Sequence, residues 1–262
     1  MIKGEKTVTI ELDFKGRVAV ITGAGSGMGL LTAQKFAESG AHAVMLDINE
    51  EVINAEAKKL TDAGYSALPI KCDVREYSEI ENALKTAHDK FGRIDYTISF
   101  AGGCPERILG EKDENGGREM MLDKVRVSTY DWGIDVNFRA PIYMAKAAFG
   151  YMKEQKSGVI INISSIDGVT GSYSITYSAS KSGLFGLTKS VAKQGAPYGI
   201  RCCCVIPGPV MTRPDMAGMP TLLGYAAEPV EIVEPVMYLC SDHARSITGS
   251  KMLIDCGRNC LI

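Results

Sequence analysis

The 262-residue sequence predicts an α/β fold: one domain with a doubly wound parallel sheet of about seven strands and helices on both faces. Two observations carry that expectation. Short apolar runs alternate along the chain with longer segments of helical period. The first of these runs passes directly into a glycine-rich turn, as a nucleotide-binding sheet requires. Composition narrows the function. A net charge of −2 offers no electrostatic footprint for nucleic acid or a membrane surface. No apolar run approaches a membrane span, and the N-terminus lacks the hydrophobic region of a signal peptide, so a cytoplasmic enzyme or binding domain is expected.

Residues 1–15 read as an N-terminal arm containing a short alternating run, Thr7 to Phe14, with no chemistry assigned to it; the domain proper is placed at 16–262. Its first strand, Arg17 to Thr22, runs into Gly23-Ala-Gly-Ser-Gly-Met-Gly29, and a helix follows from Leu30 to Ser39. Glycines at a strand-to-helix turn let the backbone approach a pyrophosphate, while the helix start supplies unpaired N–H groups. The spacing is Thr22-Gly23-x-x-x-Gly27-x-Gly29 and not Gly-x-Gly-x-x-Gly. Gly23, Ser26, Gly27, Met28 and Gly29 are the expected contacts there.

The second strand, Ala41 to Leu46, ends at Asp47, eighteen residues past Gly29. A carboxylate at that place accepts from both ribose hydroxyls and repels a 2′-phosphate, which favours NAD over NADP. A helix from Glu50 to Ala63 and a strand from Ser66 to Lys71 lead to Asp73 and Val74. Asp73 either meets the adenine or caps the next helix, Tyr77 to Phe91. The fourth strand, Arg93 to Ser99, ends in Phe100-Ala101-Gly102-Gly103, with Ala101 and Gly102 at the ligand edge. The stretch at about 104–125 is polar and too long for a routine connection, so it is either an active-site lid or a surface loop. A helix then runs from Ser128 past Asn137 to Met152; on residue type alone Asn137 is an ordinary helical polar residue.

The chemistry is expected after the strand Gly158 to Ile163, in Ser165, Tyr177 and Lys181. Tyr177 and Lys181 are four apart and share one helix face. An ammonium at roughly 4 Å and an effective dielectric near 20 would favour the phenolate by about 4 kcal/mol, close to three pKa units. Among eleven tyrosines this is the one Tyr-x-x-x-Lys pair. A strand from Ile200 to Ile206 closes in Pro207-Gly208-Pro209; there Pro207, Gly208, Val210 and Thr212 would line the nicotinamide end. Residues 213–228 suggest an apolar cover, and a helix from Glu231 to Ser241 tolerates Pro235 only near its start. An apolar strand, Lys251 to Asp255, closes the chain. Ser165, Asp167, Tyr173 and Met211 are the candidate substrate contacts. The eight cysteines are scattered, three of them consecutive at 202–204 where alternate side chains face apart. No metal site is expected, and the thiols read as small hydrophobes.

Taken together, the glycine turn, Asp73, Asn137, Ser165, Tyr177-x-x-x-Lys181 and Pro207-Gly208 resemble the short-chain dehydrogenase/reductase family over roughly residues 15 to 258. The resemblance implies a Rossmann-like fold, a homotetramer or dimer, and an oxidoreductase interconverting a secondary alcohol and a ketone with NAD(H). It implies Tyr177 as general acid/base, Lys181 lowering its pKa and binding the nicotinamide ribose, Ser165 holding the substrate oxygen, and Asn137 holding a water. Ser99-Phe100 replaces the family's Asn-Asn, and the connection before Trp132 is longer than usual, as if replacing part of the substrate lid. A lyase or epimerase, or a non-catalytic NAD-binding regulator, are the other readings. The first would carry a longer C-terminal substrate domain, and the second would be expected to lose Tyr177, Lys181 or Ser165.

Overall fold

In the computed structural model, which describes residues 12–261, each apolar run becomes a strand and each periodic segment a helix. The strands are β1 (Val18–Thr22), β2 (His42–Asp47), β3 (Ser66–Lys71), β4 (Tyr96–Ser99), β5 (Gly158–Ile163), β6 (Ile200–Pro207) and β7 (Lys251–Ile254). They form one parallel sheet in the order β3-β2-β1-β4-β5-β6-β7. Parallel strands are buried on both faces, which is why β1 reads as an unbroken apolar run and not an alternating one.

Alternate side chains of β1 enter different cores. Ala19 and Ile21 pack with α1 (Gly27–Glu38), α2 (Glu50–Asp62) and α9 (Pro229–Cys240). Val18 and Val20 pack with α3 (Tyr77–Phe91), α6 (Ala140–Gln155) and the end of α8 (Ile175–Gly195). The cysteine triplet in β6 follows the same rule. Cys203 joins the first core and Cys202 the second, and Cys204 packs with Leu184 and Ile206; all three are fully buried. Of the segment read as an arm, most lies outside the described residues. Phe14 within it is buried against Phe36 and Tyr96, with ring centroids 4.8 and 5.6 Å away.

Two expectations about helices are corrected. The helix carrying Asn137 is not continuous: α5 (Val127–Ile134) gives way to a π-helical turn, Asp135–Arg139, before α6. A π turn inserts one residue into the helical ladder and re-aims the side chains on it. The second correction concerns Pro235, which stands inside α9 and not near its start, because the helix begins at Pro229. A mid-helix proline costs about 3 kcal/mol. Full burial of Ile232, Val233 and Val236 supplies about 1.5–3 kcal/mol each, so packing outweighs the lost backbone bond.

β4 is shorter than its sequence pattern because Arg93, Ile94 and Asp95 do other work. Asp95 is buried, accepts the backbone N–H of Val18 at 2.9 Å, and pairs with Arg17 at 3.1 Å and Arg93 at 2.5 Å. It thereby joins the entry of β4 to that of β1. Asp95→Ala should lower unfolding stability by about 2 kcal/mol in urea titration with an unchanged m-value. Asp95→Asn, which keeps the acceptor for Val18, should lose less.

Candidate active site

Ligands of doubly wound sheets bind outside the strand ends where the order reverses, here between β1 and β4. Two cavities of about 360 and 230 Å³ lie there, with Met28, Phe100, Gly102 and Thr212 on the wall of both. The larger is lined by the turn after β1 (Gly23, Ser26, Gly27 and Gly29), by Asp47 at the end of β2, by Asp73 and Val74 after β3, and by Ala101. The smaller is lined by Ser165, Asp167, Tyr177, Lys181, Pro207, Gly208 and Val210. Segments far apart in the chain therefore meet along one continuous wall.

The turn after β1 is closed tightly enough to demand glycine. A Cβ on Gly29 would stand 2.1 Å from the Gly23 carbonyl oxygen, a distance no side chain tolerates. Ser26 makes no side-chain cap to α1, which leaves the first-turn N–H groups available to an anion. Asp47 is fixed beside the turn: one carboxylate oxygen accepts the N–H of Gly25 and the other that of Asn49, both at 3.0 Å. These features fit a dinucleotide, with the pyrophosphate over the turn and a ribose at Asp47.

Asp73 does not cap α3, whose N-cap is Glu76 without a side-chain bond. Arg75 clamps its carboxylate instead, through Nε at 2.9 Å and Nη2 at 2.5 Å, and this holds the Asp73 carboxyl below its ordinary range. Arg75 itself lines the larger cavity and escaped the sequence reading, because only folding brings it beside Asp47. Phe100 stands where the two cavities meet. Next to it, the hydroxyl of Ser99 is buried without a hydrogen-bond partner among the described residues, consistent with amide hydrogen bonds lost from the sheet at that place.

Tyr177 and Lys181 project from α8, and Ser165 follows β5. The Lys181 ammonium is buried, donates to the Ile163 carbonyl at 2.8 Å, and lies 5.6 Å from the centre of the Tyr177 ring. Burial lowers its pKa to about 8. Burial also pushes the Tyr177 phenol up to about 12, against an opposing hydrogen bond with the Ser165 hydroxyl; Asp167 and Cys104 add to the rise, and Arg213 works against it. Burial thus moves the phenol upward, opposite to the shift expected from its spacing to Lys181, because desolvation penalises the phenolate.

Asn137 is fully buried: Oδ1 accepts the Gly103 N–H at 2.8 Å, and Nδ2 donates to the carbonyls of Gly103 at 3.0 Å and Gly133 at 2.9 Å. It shapes the glycine turn after β4; both amide hydrogens are used, and Oδ1 keeps one lone pair. Ser165 and Asp167 line the smaller cavity. Tyr173, 80% exposed, and Met211 do not, whereas Cys104, Arg107, Arg213, Met216 and Met219 do. Nothing local in the sequence marks these five.

The long segment before α5 packs onto this site. It contains a short helix, α4 (Pro105–Ile108), and a bridge between Lys112 and Arg118. Its Glu106 is buried and accepts from the Ser174 hydroxyl at 2.5 Å, directly ahead of α8. Among the described residues no helix is long and apolar enough to cross a membrane, and no group of histidine, cysteine and acidic side chains could hold a metal.

Comparison with known proteins places this geometry in context. A family profile described as short chain dehydrogenase matches residues 17–219. The cis-4-hydroxycyclohexanecarboxylate dehydrogenase of Sinomonas cyclohexanicum is 34% identical over 256 residues, covering 93% of this chain and 97% of its own. The 3-oxoacyl-[acyl-carrier-protein] reductase of Thermotoga maritima is 31% identical over 255 residues, 93% of this chain and 98% of its own. The crystal structure of gox2181 superimposes with a TM-score of 0.84 at 27% identity, covering 95% of this chain and 98% of that one.

The displaced pKa values make a stability prediction. Because the folded-state pKa of Lys181 lies near 8, below its ordinary 10.5, the unfolded chain binds more protons between those values, and stability from this group rises with pH there. Tyr177 acts oppositely: its raised pKa removes stability as pH climbs from its ordinary 10 toward about 12. Lys181→Met should therefore be more stable than the wild type at pH 7 in urea titration, and the advantage should shrink as the pH is raised to 9.5.

Proposed function

The chain belongs to the short-chain dehydrogenase family, and from that premise we propose that it is an NAD(H)-dependent oxidoreductase interconverting a secondary alcohol and a ketone, with Tyr177 as the general acid/base. The observation that carries this reading is the convergence of Tyr177, Ser165 and Lys181 on a cavity continuous with one that has the glycine turn and Asp47 on its wall.

The nicotinamide ring, when bound, supplies or accepts the hydride. The chain's own groups supply the rest. The Tyr177 phenol is protonated at neutral pH and so holds the proton that a carbonyl oxygen takes up on reduction. The Ser165 hydroxyl pulls the phenol's pKa down and lines the same cavity, and it would hold the same substrate oxygen. Lys181, half neutral near pH 8, stands behind the phenol on the same helix face as its proton and ribose partner. Asn137 keeps the Gly102-Gly103 turn open, since a Cβ on Gly102 would lie 2.4 Å from its Oδ1. Asp47, with both oxygens oriented by backbone N–H groups, favours ribose hydroxyls over a 2′-phosphate, and Arg75 is already committed to Asp73. A cytoplasmic location accords with eight cysteines, none of them in a disulfide. A homotetramer is the assembly this reading carries over from the family resemblance.

Two outcomes test the proposal. Tyr177→Phe should lower kcat by about a thousandfold in a 340 nm hydride-transfer assay and leave the NADH Kd within about threefold. A carboxylate about 5 Å from a phosphate costs about 1–3 kcal/mol at effective dielectrics of 80 to 20. Asp47→Ala should accordingly move the NADPH-to-NADH preference by about tenfold or more toward NADPH, and an unmoved ratio would place cofactor choice elsewhere.

A further inference from the structure

The smaller cavity carries more positive charge than the proposed chemistry uses. Lys181 is accounted for, but two guanidinium groups, Arg107 and Arg213, stand on the same wall as Tyr177. They come from segments more than a hundred residues apart in the chain: Arg107 from α4, the first turn of the long insertion, and Arg213 from the chain leaving β6. Asp167 is the one acid on that wall.

Arg107 is exposed, but the turn that carries it is anchored by its neighbour. Its neighbour Glu106 is buried and pinned, accepting from Ser174 at 2.5 Å and from the Cys104 thiol at 3.3 Å. With Glu106 turned inward, Arg107 faces the cavity, its Nη2 lying 3.4 Å from where a Cβ on Gly103 would stand. Among the described residues, no carboxylate lies within 4.0 Å of its guanidinium, although such pairs occur at ten other places. Arg213 meets the exposed Asp215 through Nε, at 2.8 and 3.0 Å, which leaves its two terminal nitrogens for another partner. Its field reaches Tyr177, whose phenol it pulls downward. Guanidinium forks of this kind match planar, bidentate acceptors such as carboxylates.

Resting on the oxidoreductase reading above, we propose that the substrate of this enzyme carries an anionic group, a carboxylate in the first instance, and that Arg107 and Arg213 bind it while Tyr177 and Ser165 hold the reacting oxygen. The long insertion thereby sets specificity: its first turn, anchored by Glu106, delivers one of the two cations. Asp167 opposes an anion; burial raises its carboxyl, while Ser172 and Arg258 pull it down, and the two guanidinium groups outnumber it on the wall. The relative acting on cis-4-hydroxycyclohexanecarboxylate accords with this class in the words of its name.

The test uses the full chain loaded with NADH. Cyclohexanecarboxylate and cyclohexanecarboxamide, matched in shape and differing in charge, are titrated against the fluorescence of bound NADH. The acid should bind at least about tenfold more tightly than the amide, and Arg107→Met and Arg213→Met should each reduce that preference to about threefold or less. Equal binding of acid and amide, no saturable binding of either, or a preference untouched in both variants would overturn the proposal. If Arg213→Met instead weakens NADH and leaves the preference intact, Arg213 serves the cofactor phosphates and the two-cation site is overturned. NADH binding is read separately, by energy transfer from Trp132, the single tryptophan, which lines the larger cavity. Absence of that signal in the wild type defeats the oxidoreductase reading, and Tyr177-independent turnover moves the acid/base role to another residue; an intact signal with no acid preference defeats only the anionic substrate.

Discussion

A lysine ammonium buried behind the Tyr177 phenol is the constraint to which the rest of the site answers. Lys181 is gripped at both ends: its Nζ donates to the Ile163 carbonyl at the end of β5, and its own carbonyl accepts from the Ser164 hydroxyl at 2.7 Å. An unpaired buried charge costs several kcal/mol, so the bond to the Ile163 carbonyl offsets part of the cost of burying the ammonium. Both bonds lock α8 onto the carboxyl end of β5. Tyr177, one turn before Lys181, and Ser165, two residues past Ile163, are positioned by the same contact. The low pKa of the lysine and the high pKa of the tyrosine share one leading cause, desolvation by the protein packed around them.

The long insertion obeys the same rule for buried charge. Glu106, Glu111 and Glu119 are all buried, which would be prohibitive if any were unpartnered. Each has an answer: Glu106 takes the Ser174 hydroxyl, Glu111 takes Arg126 and the Thr129 hydroxyl, and Glu119 accepts the N–H groups of Met120 and Met121. Carboxylates here do for an irregular segment what apolar side chains do for a helix. They tie it to α8 and α5, so the segment forms part of the cavity wall. Its polar composition, which in a sequence looks like solvent exposure, partly reflects these inward anchors.

Departures from regular structure cluster where the site needs them. The π turn at Asp135–Arg139 brings the Asn137 amide onto both polar atoms of Gly103, and that turn in turn borders Lys181 and Arg107. Pro235 sits in α9, away from the cavity wall, where strong apolar packing carries its cost. The orphaned Ser99 hydroxyl beside Phe100 shows the sheet giving up a hydrogen bond at the place where the two cavities join.

Strand positions within one to three residues, the order of elements, the glycine turn and the Tyr177–Lys181 pair on one helix face were determined by the sequence alone. They depend on local periodicity, on backbone sterics at Gly23 to Gly29, and on residues one helical turn apart. Tertiary structure decided the rest. Whether Asp73 caps a helix or meets Arg75, which groups Asn137 bonds, which cations line the smaller cavity, and which way the Tyr177 pKa moves all depend on desolvation and on tertiary packing. Periodicity is a property of neighbours in the chain; the strength of a charge is a property of everything packed around it.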